Sequence, residues 1–414
     1  MKKLGLLLLL ASGLWAQEEG ENLPLILEFD PQWREARPHL ETSFYSGAAS
    51  AGWSSLDLYD FAYADFLDSE AKAELIGGAA GGLRLGAESV YDISWVFQRQ
   101  QDRYALPFPK RSIRLRHRSL VGAEASEDAL ALLLNGNAPY AGRVLELGNL
   151  AYQAWYYSEL QFQSSFKIDT IPLSLGVAVS AHHDLDHYRL EQGRLFTATD
   201  GRQIDLSGNY SILEGNPRAA PVNGLGLAFS LASVERWGRH EVALQVEDLG
   251  FAYLAQADYF SKDSAWSFDG VEVTNIFNVP ASDVEGQGDS LLATFGGEGG
   301  SQWRVMPFQL RGEYRYHLQP SGWSYLFGRL HYMHIPGYLP RVDLGSQWTS
   351  ENKSQHLGLS LAYGGFTHFS AALDYQWYIS RHWRFNARVS NALGLALPGW
   401  GGGSFGGISL RYLW

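Results

Sequence analysis

The chain is 414 residues long, has no cysteine, and carries 44 acidic against 32 basic side chains for a formal net charge of −12. The acidic balance argues against nucleic-acid partners, and the missing thiols exclude disulfides, thiolate metal sites, a cysteine nucleophile and an acylated cysteine at the N-terminus. Aromatic residues make up 14% of the chain while charged residues reach only 18%, a proportion that suits the aromatic belts of a membrane barrel.

In chain order, MKKLGLLLLLASGLWA (1–16) has two lysines, an apolar run and small residues, the order of a cleaved secretory signal. Residues 17–414 are read as a single barrel domain. Residues 17–60 mix acidic and aromatic groups and are left open between strands, a periplasmic piece and a segment inserted into the lumen. About three strands are expected between 81 and 120. In 126–142, SEDALALLLNGNAPYAG, Ser126 is placed to cap a short helix and Gly136 to stop it. Leu130, Leu133 and Leu134 make this helix a candidate lumen plug.

From Tyr157 onward, alternation recurs in segments near ten residues. In PFQLRGEYRYH (307–317), Phe308, Leu310, Gly312, Tyr314 and Tyr316 share one face, and Gln309, Arg311, Glu313, Arg315 and His317 share the other. Leu225, Leu227, Phe229 and Leu231 likewise oppose Gly224, Gly226, Ala228 and Ser230. Eleven such strands run from Tyr157 onward, giving about fourteen in all, the even number that bacterial outer-membrane barrels show. If the C-terminus is periplasmic, short turns near 169–171, 235–239, 318–322, 350–354 and 379–381 share one rim. The long segments 121–157, 184–222, 249–304 and 392–404 share the other. The chain stops on GGISLRYLW, where Tyr412 and Trp414 look like the terminal signal read by the barrel assembly machinery. Trp323, Trp348, Trp377, Trp383, Trp400 and Trp414 suit interfacial anchoring. The expected fold is therefore a closed antiparallel transmembrane β-barrel of the outer membrane, in contact with its lipid.

Two clusters carry candidate chemistry. Gln309, Arg311, Glu313, Arg315 and His317, with Arg329, His331, Arg384 and Arg388, would line the lumen, either selecting an anionic or amphipathic solute or pairing among themselves to fill the barrel. His182, His183, Asp184 and His187 in AHHDLDHY are candidate ligands for a divalent metal, and Asp186 completes that acidic stretch. No serine elbow and no HExxH is present. The chain is read as neither an enzyme nor a cofactor protein; a hydrolase on the 182–187 cluster is a third reading.

The capped helix and GNAPYAG, followed by YYSELQFQSSFKI, with NGLGLAFSL (223–231) and VALQVEDLGF (242–251), resemble FadL-like outer-membrane barrels. That class includes the fatty-acid transporter and the PorV-type barrel of the type IX secretion system. The resemblance implies about fourteen strands with segments reaching into the lumen. It does not imply a fatty acid as substrate and carries no ligand residue across. The expected function is passive transport of small amphipathic or hydrophobic solutes. The alternative is a non-transporting barrel that docks a secretion or surface-protein complex.

Overall fold

The structure is a computed structural model that describes residues 38–63, 67–97, 110–168, 171–201, 203–215, 222–269, 298–318, 322–397 and 402–414. The expected signal, residues 17–37 and Trp400 lie outside the described residues.

One antiparallel sheet of 17 strands accounts for the architecture. Chain order gives β1 (His39–Ala51), α1 (Ser55–Tyr63), α2 (Ser69–Gly78), β2 (Leu83–Phe97), β3 (Lys110–Ala125), α3 (Glu127–Asn135), β4 (Val144–Glu146), β5 (Leu150–Ile168) and β6 (Ile171–Thr197). Then come β7 (Gln203–Gly215), β8 (Gly224–Trp237), β9 (His240–Asp269), β10 (Glu298–Val305), β11 (Gln309–His317), β12 (Gly322–Met333) and β13 (Leu339–Thr349). The last elements are β14 (Gln355–Gly365), β15 (Phe369–Tyr378), β16 (Trp383–Ser390), α4 (Ala392–Ala396) and β17 (Gly403–Leu413).

The sheet closes on itself. β1 pairs with β17 from His39↔Leu413 to Ala49↔Gly403, and with β2 on its other edge. Fourteen strands form the wall, and closure leaves none of them with a bare edge. Of the other three, β4 and β7 pair with the far ends of β6 and β9, and β10 with the middle of β9, so part of the sheet rises beyond one rim.

The side chains are arranged opposite to those of a water-soluble domain. In β11, Leu310 and Tyr314 are 41% and 43% exposed, whereas Gln309, Glu313 and Arg315 are only 3–4% exposed. β8 repeats the pattern, with Leu225, Leu227, Phe229 and Leu231 outside and Ala228, Ser230 and Ala232 buried. Only hydrocarbon rewards an oily exterior around a charged interior. Exposed aromatics gather at the rim holding the C-terminus: Trp323, Trp348, Trp377, Trp383, Tyr412 and Trp414. Tyr253, Trp303, Tyr363 and Phe369 stand toward the other rim. Among the described residues no helix is long and apolar enough to cross a membrane.

Connections at the C-terminal rim are tight where described: Gly238 and Arg239 alone separate β8 from β9, and residues 350–354 separate β13 from β14. The outer rim carries α1, α2, α3, α4 and the raised sheet, together with two short turns, 334–338 and 366–368, that the alternation did not single out. One expectation changes. Among the described residues two strands, β2 and β3, lie between 81 and 120 rather than about three, and a further wall strand, β1, lies inside the segment left open.

Candidate functional site

The lumen is built by alternation. In β3, RSIRLRHRSL turns Arg114, Arg116 and Arg118 inward, each buried, while Leu115 and His117 face out. These arginines reach acids on several walls. Arg114 pairs with Asp92 on β2 and, at 3.3 Å, with Glu247 on β9. Arg116 meets Glu159 on β5 at 2.8 Å and also Asp248. Arg118 meets Glu88 and, at 3.1 Å, Asp248. On the opposite wall Glu313 joins Arg315 and Arg329, Arg315 also holds Glu241 at 2.9 Å, and Arg388 meets Asp374 at 3.2 Å. Arg411 and Glu41 pair across the closing seam. Buried charges need partners, and the network supplies them nearly one for one.

Toward the outer rim the lumen turns apolar. Tyr45, Leu120, Trp155, Tyr157, Leu254, Met306, Met333, Ile335, Phe366 and Phe405 form one buried cluster drawn from around the ring. Opposing walls touch here. β3 and β13 stand half a ring apart, yet a Cβ on Gly122 would meet the Pro336 carbonyl oxygen at 2.5 Å and Ile335 Cγ1 at 2.6 Å. Gly86 on β2 similarly lies under the Phe366 ring, and Arg84 contacts His368 Nδ1 at 3.2 Å. The two short outer turns thus fold inward onto glycines of the facing wall.

A cavity of about 110 Å³ lies where the apolar cluster meets the ion pairs. Tyr45, Tyr338, Phe366 and Phe405 line one part of it, and Glu88, Arg311, His331, Arg341, Arg388 and Asn391 another. Tyr45 stacks on Phe405 at 5.5 Å, Tyr338 meets Phe366 edge-on at 5.0 Å, and the Tyr338 hydroxyl lies 2.6 Å from His331 Nδ1. Arg341 grips Asp343 with two bonds of 2.8 and 3.0 Å.

The nine residues named as lumen-lining from sequence occupy this interior, except that His317 sits near the C-terminal rim against Glu241, at 3.5 Å. The alternation missed their partners. Arg114, Arg116 and Arg118 follow the same every-second-residue signal and were legible in principle, and Glu241 and Glu247 alternate with Val242, Leu244 and Val246 in the same way, whereas Asp92, Glu159 and Asp248 are isolated acids without pattern. The plug-helix leucines divide: Leu130 and Leu134 are buried with Trp53, Leu58, Leu75 and Leu83 at the outer rim, while Leu133 is exposed. Small inward residues on β6 and β8 are covered by neighbouring side chains, with Gln161 donating to Ser230 at 2.9 Å and Gln163 to Ser174 at 2.7 Å.

The 182–187 residues are dispersed. His182 is fully buried and sits 2.9 Å from Ser180 Oγ, His183 faces outward, and Asp184 accepts the Leu185 N–H at 2.9 Å. His187 lies on the raised sheet, where burial, with Arg304 and Arg189 nearby, pushes its pKa down to about 4. Among the described residues no group of three or more metal-ligating side chains is present.

Comparison with known proteins adds a likeness of shape. No protein-family model and no curated protein matches the chain. Among solved structures it is similar to a TodX deltaS2S3 mutant monoaromatic hydrocarbon channel, at 9% identity over 94% of this chain and 93% of that one, TM-score 0.49. It is also similar to a FadL homologue of Pseudomonas aeruginosa, at 12% identity over 91% and 90%, TM-score 0.44. The toluene transporter TbuX of Ralstonia pickettii gives 9% identity over 92% and 90%, TM-score 0.41. The likeness is one of fold. The PorV side of the sequence resemblance and the secretion-complex reading gain no support from it.

Proposed function

We propose that the chain is an outer-membrane barrel that passes small amphipathic or hydrophobic solutes by way of a binding step inside the lumen. The cavity at the junction of aromatic and ionic layers carries this reading. It has room for about one small ring or short chain, with apolar walls to receive the body and convergent polar groups to orient it. A barrel filled only for stability gains nothing from leaving that space, because unfilled volume costs packing energy. The inward-folded turns at 334–338 and 366–368 stand between the cavity and the outer rim and would have to shift for passage.

The test is vesicle uptake with purified protein, beside native mass spectrometry of the barrel incubated with small aromatic and aliphatic solutes. Uptake that saturates, and is slowed by Tyr45→Trp filling the cavity, is expected. A barrel that neither admits nor retains any such solute would remove the reading.

A further inference from the structure

We propose that the outer face of β3, β5 and β6 carries a serine-centred site for hydrolysing the acyl esters of membrane lipids. It is separate from the lumen. Ser158 Oγ on β5 lies 2.9 Å from His117 Nδ1 on β3 and 2.9 Å from His183 Nε2 on β6. The Tyr156 ring packs on both imidazoles, with centroids 4.7 and 5.1 Å away, and is 42% exposed.

Placement argues for a role. Beneath the trio the same outward rows are oily: Leu115 on β3, Leu160 and Phe162 on β5, and Val177 and Val179 on β6 are all exposed. Beyond it, β3 continues with Ser119 and β5 with Ala154. The hydroxyl and the imidazoles therefore stand where the apolar belt gives out, at the depth of lipid ester groups. Ionisable side chains facing lipid are expensive and mark function by default. A bulge serves the arrangement. Tyr157 faces His182 and Tyr156 faces Asp184, so His183 is the extra residue between them, and such bulges re-aim side chains beside active sites.

The chemistry balances with water as the only co-reactant. His183 Nε2 takes the Ser158 proton as Oγ bonds to the acyl carbonyl carbon. His117 donates its Nδ1–H to the negative charge that develops. The carbon–oxygen bond to glycerol breaks and His183 returns the proton to the leaving alcohol. Water then attacks the acyl-serine with His183 again as base, the acyl carbon–Oγ bond breaks, and His183 hands that proton to Ser158 Oγ, releasing a fatty acid and restoring Ser158.

The experiment uses the full barrel in vesicles of phosphatidylethanolamine and phosphatidylglycerol, with fatty-acid release as readout. Release is expected, and S158A and H183Q should lower its rate by about 10²–10⁴-fold while leaving solute uptake through the lumen unchanged. H117Q, which keeps an N–H, should lose less than H117F. Heat-modifiable gel mobility checks that each variant folds. Should S158A fail to fold, labelling of wild-type Ser158 by a fluorophosphonate decides instead. No release above protein-free vesicles, release undiminished in folded S158A, or no label on Ser158 would each overturn the proposal and identify the trio as a polar bridge.

Discussion

Asp248 shows what single residues contribute here. It is almost fully buried, has φ of 59° at the point where β9 slips register against β8, and draws in both Arg116 and Arg118 from a strand about 130 positions earlier. In an interior of low dielectric such pairs barely repay their desolvation, but removing one partner strands the other. Arg116→Met leaves Glu159 and Asp248 without that cation and should cost about 3–5 kcal/mol. Arg189→Met breaks only a surface pair with Glu191 at 2.8 Å and should cost under about 1 kcal/mol. Urea titration in detergent micelles, read by gel mobility of folded and unfolded forms, compares them. Equal losses would mean that the lumen is wet enough to screen its charges. Arg114, Arg116 and Arg118 carry a local signal, a basic group at every second position, although they were not among the lumen residues named from sequence. Asp248 carries none, because its partners are set by a fold that no local pattern encodes.

At the scale of elements, the wall strands from β5 onward announce themselves because one face is aliphatic or aromatic and the other polar, whereas β7, β10 and the far parts of β6 and β9 fall in 184–222 and 249–304, which the alternation left as long connections. β1 does not announce itself. In HLETSFYSGAASA only Leu40 and Thr42 are exposed, and from Tyr45 to Ala51 every residue but Ala48 is buried, so small residues on both faces leave no oily outer row to read. The short outer turns were equally silent, since their inward fold depends on glycines of another wall. That contact can be wedged. Gly122→Ala places a methyl group against the Pro336 carbonyl and Ile335, and overpacking of this kind costs about 1–3 kcal/mol unless the turn retreats. If the turn gates the lumen, it retreats and solute uptake rises, and Gly86→Ala beneath Phe366 should act the same way. Uptake that stays level while stability drops would show that the turns are a fixed lid.

The molecule as a whole depends on closing β1 against β17. Everything charged on the inside stays paired only while the ring is shut, and Glu41–Arg411 spans that seam. Ser43 and Ser409 face each other across it, both almost fully buried. Directly opposed residues of antiparallel strands lie about 4.5–5.5 Å apart between Cα atoms, within the span a disulfide accepts. The chain has no cysteine of its own, so Ser43→Cys with Ser409→Cys can be oxidised without background. The folded, membrane-inserted protein should form that cross-link nearly completely and migrate faster on a denaturing gel until reduced. Ser43→Cys with Ser404→Cys, five positions out of register and about 17 Å further along the strand, should remain two thiols. If the in-register pair stayed free while the barrel was folded, the first and last strands would not be neighbours, and the wall would have an open side through which lipid could reach the arginines.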